Sequence, residues 1–200
     1  MKINKELILE TAFGLFYEYG YKEMSITVLQ EKLNIGRATL YYYFKGKEEL
    51  LLNAIEVYYI EEFNSFYNSL NENLTIEELI HKYVDYYRGL YDKLSKYSKE
   101  EDYVFIKLYS LLNYSASHFP GIKEKLKTTR IRKFRLWKRA VEESHSRGDI
   151  KKDIDIDIIT SLFFSITYET YKNNDKETVN DIESLDGYKK SCLLLYELIK

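Results

Sequence analysis

The sequence contains one cysteine, one proline and eight glycines among its 200 residues. A lone cysteine, Cys192, can form no internal disulfide and supports no cysteine-rich metal site, which points to a reducing compartment, the cytoplasm. With so few breakers, long segments run uninterrupted, as in a chain built of helices. No apolar run approaches the roughly 20 residues of a membrane span. The polar start, Met1-Lys2-Ile3-Asn4-Lys5-Glu6, lacks the apolar stretch of a signal peptide. An excess of one charge is missing too: 30 Lys and Arg meet 32 Asp and Glu, a net charge of −2. Binding to a polyanion therefore has to come from a few locally placed cations, not from bulk charge.

The chain does hold 45% hydrophobic and 31% charged residues, an ordinary balance for a globular protein with a substantial core. It also holds 21 tyrosines. These could build an aromatic ligand cage, or could follow a coding bias that also favours Lys, Asn and Ile. Aromatic residues suit helical cores in either case.

Apolar positions recur at helical spacing along most of the chain. Ile8, Ala12, Leu15, Phe16 and Tyr19 mark a first helix, with Asn4 as N-cap and Gly20 as its stop. Ser25 caps a second helix in which Val28 and Leu29 are expected to face inward. Asn34-Ile35-Gly36 is a short turn, and a third helix runs from Arg37 to Tyr43. A long helix follows from Lys47 to near Leu70. Thr75 and Glu78 form a capping box ahead of the stripe Ile76, Leu79, Ile80, Tyr83, Val84, Tyr87. The segment from Tyr103 to Tyr114 is apolar on nearly every side, as a buried helix would be. Pro120-Gly121 breaks the chain, and a helix from Ile122 to Arg147 ends at Gly148. Another opens at Asp155 or Asp157 and runs to Lys172; 173–180 is polar and expected to be a loop. The last helix spaces Leu185, Tyr188, Cys192, Leu195 and Ile199 by three and four, the period of a helix packed along a partner.

The strongest constellation is Ser25 to Phe44. Two short helices joined by a three-residue turn make a helix-turn-helix if apolar residues lock them to a support. Leu29, Leu33, Ile35, Leu40 and Phe44 have that spacing, with Ile8, Ala12 and Phe16 as the support. Arg37, Ala38, Thr39, Tyr41, Tyr42 and Tyr43 are then the outward residues of the third helix. Arg37 stands where a recognition helix reaches base edges, and a guanidinium suits the O6 and N7 of guanine. Ala38 permits close approach, and Thr39 can meet a base or a thymine methyl. The tyrosine hydroxyls and the ammonium of Lys47 suit phosphate oxygens, as does Ser25 at a helix start.

The residues Ile8-Leu9-Glu10-Thr11-Ala12-Phe13-Gly14-Leu15-Phe16 through Gly20-Tyr21 resemble the first helix of TetR-family regulators. Ile35-Gly36-Arg37-Ala38-Thr39-Leu40-Tyr41-Tyr42-Tyr43-Phe44 and Lys45-Gly46-Lys47-Glu48-Glu49-Leu50 resemble their recognition helix and the start of the fourth. The resemblance implies an all-helical fold of about nine helices with an N-terminal helix-turn-helix. Residues 1–47 would form the DNA-binding domain and 48–200 a larger ligand-binding and dimerisation domain. It implies double-stranded operator DNA, a second copy of the chain and a small-molecule effector as partners, no enzymatic activity and no cofactor. The family's DNA contacts fall on Ser25, Thr27, Arg37, Ala38, Thr39, Tyr41, Tyr42 and Lys47. The last two helices would pair between subunits, placing Leu162, Leu185, Tyr188, Cys192, Leu195 and Ile199 at the interface. Three positions depart from the family pattern: Gln30 replaces a small residue, Asn34 the turn glycine, and Gly36 a serine cap. Asn tolerates the left-handed conformation such a turn requires, and glycine serves as a cap.

Other constellations compete. Glu78/His81 and Glu142/His145 have the spacing used by di-iron bundles, but both pairs are expected to face solvent, where they cannot converge on a metal. A metal-binding or purely structural bundle is the alternative to a DNA-binding protein. Between Lys123 and Arg139 lie nine Lys or Arg and one acidic residue, Glu124. These cations are expected on the solvated back of a core helix, with an acidic ligand or partner as the other reading. No nucleophile triad, phosphate-binding glycine loop or nucleotide fingerprint is present. The aromatic residues Tyr83, Tyr87, Phe105, Tyr109, Trp137 and Phe163 are the candidate ligand pocket.

Overall fold

The computed structural model describes residues 3–98, 104–172 and 181–200, the side chains of 167–172 and 181–184 excepted. Its described elements are all helical: α1 (Lys5–Glu23), α2 (Ile26–Leu33), α3 (Arg37–Tyr43), α4 (Lys47–Ile55), α5 (Glu61–Ser69), α6 (Ile76–Ser95), α7 (Val104–His118), α8 (Pro120–Arg147), α9 (Ile156–Lys172) and α10 (Asp181–Ile199). A π-helical turn, Glu56–Ile60, joins α4 to α5, so the two form one rod and the described residues make nine helices. Tyr103 and the expected loop 173–180 lie outside the described residues.

Local chemistry sets most boundaries. Thr75 Oγ1 accepts from the Glu78 N–H, and Glu78 Oε2 accepts from the Thr75 N–H at 2.8 Å, closing the capping box of α6. The next N–H, that of Ile76, donates to the buried Ser144 hydroxyl at 2.9 Å, tying the start of α6 to α8. Asp155 opens α9 by accepting from the Ile158 N–H. At the end of α8, Gly148 adopts φ 78°, a left-handed cap. Pro120, read from the sequence as a break, is instead the first residue of α8, where its missing N–H is not needed.

One core runs through the molecule. α1 packs against α4 and α7, α8 against α6, α7 and α9, and α10 against α6 and α9. Trp137 stacks between Tyr83 and Phe163, at centroid distances of 5.5 and 5.1 Å, and all three rings are fully buried.

Three expected faces are corrected. Val28 points to solvent, because on the short α2 the inward face is taken by Leu29 and Leu33. On α10, Leu185, Tyr188, Cys192 and Ile199 are buried in the chain's own core, and Leu195 is half-buried. The stripe serves packing against α6 and α9 and does not reach outward. Burial pushes the Cys192 thiol up to about 12, so it stays protonated. Among the described side chains of α9 and α10, the large apolar ones that face out are Ile158, Leu162, Leu194 and Leu198. The basic face of α8 is not simply a solvated back either, since Arg132, Lys133 and Arg139 turn inward onto tyrosines.

Candidate nucleic-acid interface

The N-terminal unit is built on α1. Asn4 accepts from the Leu7 N–H at 2.9 Å and starts the helix, which buries Ile8, Ala12 and Phe16 completely. Gly20 kinks the end of α1 with φ 74°, a conformation that favours glycine. Ser25 then accepts from the Thr27 N–H and opens α2. Asn34 closes α2 at φ 52°, the left-handed conformation its side chain tolerates. The Ile35 N–H returns to the Gln30 carbonyl at 3.0 Å, so the turn is fixed by backbone bonds at both of its first residues. Gln30 contributes through this carbonyl, and its side chain is only partly covered.

This turn sets α3 so that Leu40 and Phe44 face the core, with Leu29 and Leu33. Ile35 packs against the same cluster, half-buried. The apolar lock read from the sequence is therefore assembled.

The outer face of α3 carries Arg37, Ala38, Tyr41 and Tyr42 exposed, with Thr39 partly so. Tyr42 is 82% exposed, the highest value among the exposed large hydrophobic side chains. The Arg37 guanidinium lies 5.2 Å from the Tyr41 ring centre, and it forms no ion pair among the described residues. Tyr43, expected to point outward, instead packs half-buried against the core, its ring edge-on to Tyr42. Ser25 and Thr27 are exposed on the adjoining start of α2. Lys32 and Lys45, which the sequence reading did not select, are also exposed on this unit.

Lys47 differs from the other cations. Its ammonium donates to the Lys22 carbonyl at 3.2 Å and sits 4.6 Å from the centre of the Tyr21 ring. Partial burial holds its pKa below the ordinary lysine value. Lys47 thus joins the first helix of the α4–α5 rod to the end of α1.

Further contacts bind α1 to the larger part of the chain. The Tyr17 hydroxyl donates to the Val104 carbonyl, and Lys107 pairs with Glu18 at 2.8 Å where both are largely covered. Glu10 accepts from Lys96, which holds its carboxyl below the ordinary value, and from Tyr97. The Tyr97 ring lies directly over Gly14, where a Cβ would approach it to 2.7 Å. Between the end of α1 and α7 lies a cleft of about 730 Å³, lined among others by Phe16, Tyr21, Lys107 and Tyr114.

None of the expected ligand residues lines that cleft. Tyr83, Tyr87, Phe105, Trp137 and Phe163 are buried together in the core, and Tyr109 is half-buried beside it. The Glu-x-x-His pairs also separate: Glu78 is engaged in the α6 cap, His81 is exposed, and His145 Nε2 lies 3.2 Å from the Lys152 carbonyl. Among the described residues, no three His, Cys, Asp or Glu come together as a metal site, and no helix is long and apolar enough to cross a membrane.

Known proteins share this arrangement. Residues 8–54 match the model of bacterial regulatory proteins of the tetR family. The chain is 32% identical over 111 residues to the Staphylococcus epidermidis biofilm operon icaADBC HTH-type negative transcriptional regulator IcaR, covering 54% of this chain and 53% of that one. It is 37% identical over 68 residues to the uncharacterized Bacillus subtilis HTH-type transcriptional regulator YuxN, covering 34% and 23%. The chain thus spans about half the length, or less, of these curated relatives. Over nearly the whole chain the fold is that of an Agrobacterium tumefaciens TetR-family transcriptional regulator, with a TM-score of 0.71 at 15% identity, covering 98% and 97%. A Saccharomonospora viridis protein solved in complex with choline gives 0.70 at 16% identity, covering 96% and 95%. The match to the tetR family of bacterial regulatory proteins thus covers α1 to α3 and most of α4, and the likeness over the remainder is one of fold.

Proposed function

We propose that the chain is a transcriptional repressor that reads a palindromic operator through α3 and leaves it when a small molecule binds. The observation that carries this reading is the outer face of α3: an arginine with no ion-pair partner among the described residues and a bare tyrosine, on a helix locked from behind. Arg37 reads a base edge, a contact worth about 1–3 kcal/mol of discrimination. Ser25, Thr27, Ala38, Thr39, Tyr41 and Tyr42 fill the groove and hold the backbone, joined by Lys45 at the rim. Tyr43 and Lys47 act mainly from behind, by fixing α3 and the start of α4. Residues 1–47 form the DNA-binding unit, and 48–200 the effector and dimerisation unit. The negative regulation named for the staphylococcal relative supports repression as the sense of control.

Operator palindromy calls for two copies, with recognition helices about 34 Å apart. The outward Ile158 and Leu162 on α9 and Leu194 and Leu198 on α10 supply a face for the second copy. They lie toward one end of the helix pair, where Lys151, just before α9, bonds to the Ile199 and Leu198 carbonyls. Sedimentation of the double variant Leu194→Asp, Leu198→Asp should give a folded monomer; a dimer that persists moves the interface elsewhere.

Electrophoretic retardation of the DNA just upstream of the chain's own coding sequence tests the main reading. Specific retention against competitor DNA, weakening steeply with salt, is expected. Equal retention of unrelated DNA would remove the sequence-reading role.

A further inference from the structure

Lys133 is the least expected cation in the molecule. It sits on α8, is only partly exposed, and its ammonium faces inward. It donates to the hydroxyls of Tyr59 at 3.3 Å and Tyr87 at 3.2 Å, and lies 5.0 Å from the Phe63 ring centre. No ion pair to it forms among the described residues. A charge drawn into an apolar interior without a counter-charge is costly, and aromatic faces and phenol oxygens offset only part of that cost.

The surroundings are short of acceptors as well. The hydroxyls of Tyr83 and Tyr86 and the indole N–H of Trp137 are buried with no hydrogen-bond partner among the described residues. Burial raises both phenols well above their ordinary pKa, so they remain proton donors. Tyr83 stacks on Trp137, and the rings of Tyr83 and Tyr86 both pack on Tyr87, whose hydroxyl accepts from Lys133. An ammonium, two phenol O–H groups and one indole N–H therefore share one aromatic region, with no carboxylate paired to the ammonium among the described residues. Buried donors in a native fold are nearly always satisfied, so this set is complementary to something absent from the chain.

We propose that Lys133 receives the carboxylate of a small organic acid whose apolar body lies against the rings around Tyr83 and Trp137. The proposal rests on the reading of the chain as an effector-responsive regulator and names the chemical class of the effector. A carboxylate supplies acceptor lone pairs for the ammonium and the phenols, and a charge-assisted bond is stronger than the neutral bonds it replaces. The local backbone adds an independent sign. Tyr59 lies in the π-helical turn, a departure from regular helix often found at functional sites. That turn interrupts the rod whose first residue, Lys47, is bonded to the end of α1. A carboxylate that draws Lys133 away from Tyr59 releases one of the side-chain bonds holding the turn to α8. The second, Glu56 to Lys125 at 2.6 Å, remains.

Trp137 is the sole tryptophan of the chain and provides the readout. The full-length protein is titrated with octanoate and benzoate, then with octanamide, benzamide and choline, while tryptophan emission is followed. Both acids should change the emission saturably, and the isosteric amides should not. Lys133→Met should weaken acid binding by roughly tenfold or more, the scale of a hydrogen bond to a charged group. Tyr83→Phe, which keeps the ring and the fold, should weaken it several-fold and decides the matter if the lysine variant does not fold. Amides that bind as tightly as the acids, choline binding in preference to both, or failure of either acid to bind overturns the proposal. So does an unchanged affinity in Lys133→Met. Retardation of upstream DNA is measured on the same preparation. Protein that holds DNA but ignores acids remains a regulator without this site, and protein that binds acids but not DNA keeps the site and loses the regulator.

Discussion

Two sets of tyrosines in this chain are placed in opposite ways. On α3, Tyr41 and Tyr42 stand in solvent, Tyr42 at 82% exposure, beside an arginine that has no ion-pair partner among the described residues. Beneath α8, Tyr59, Tyr83 and Tyr87 are buried around a lysine that has no acid partner among the described residues either. Each set combines phenols with a cation, but the first projects its donors outward and the second inward. A surface that projects donors from a rigid helix suits an extended polyanion. An inward set suits a small anion that can be enclosed. Exposure, not composition, separates the two tasks.

Substitution should reproduce that division. Tyr83→Ala removes a fully buried ring from the stack with Trp137 and should cost about 3–5 kcal/mol of stability in chemical denaturation. Tyr42→Ala on α3 should leave stability within about 0.5 kcal/mol while weakening DNA retention. If both variants unfold alike, the contrast between the sets is lost. Gly14→Ala probes the contact of α1 with the segment that follows α6, because the added Cβ would meet the Tyr97 ring at 2.7 Å. A loss of about 1–3 kcal/mol is expected from overpacking, and an unchanged melting temperature would mean that Tyr97 moves aside freely. Thr75→Ala should cost about 1 kcal/mol by opening the α6 capping box, with DNA binding unaffected. A drop in DNA affinity in that variant would mean that the start of α6 also positions α3.

What could be read from sequence was local. The caps at Asn4, Ser25 and Thr75, the left-handed Asn34 and the limits of α3 each depend on a few neighbouring residues, and all appear in the structure. The apolar lock behind α3 was legible for the same reason, since its spacing reflects a single helical face. The inward course of Lys133 was not, because its partners Tyr59 and Tyr87 lie 74 and 46 residues away. A long aliphatic stem lets a lysine cover apolar surface and place its charge either way, so position in a basic run says little about direction. The face of α10 was misread for a related reason. Leu185, Tyr188, Cys192 and Ile199 have a clean period, but periodicity marks a buried stripe without saying whether the chain itself or a second copy buries it. The π-helical turn leaves no local signature in its residues, Glu56-Val57-Tyr58-Tyr59-Ile60.

The most direct test of the central claim is the affinity of Arg37→Ala for the upstream DNA, measured by fluorescence anisotropy beside the unaltered chain at one salt concentration. Arg37 is exposed and outside the core, so the variant should keep its melting temperature. Its affinity for the specific fragment should fall by about tenfold or more, with binding to unrelated DNA changing far less. Equal affinity of the two proteins for the specific fragment would contradict the assignment of α3 as the helix that reads DNA.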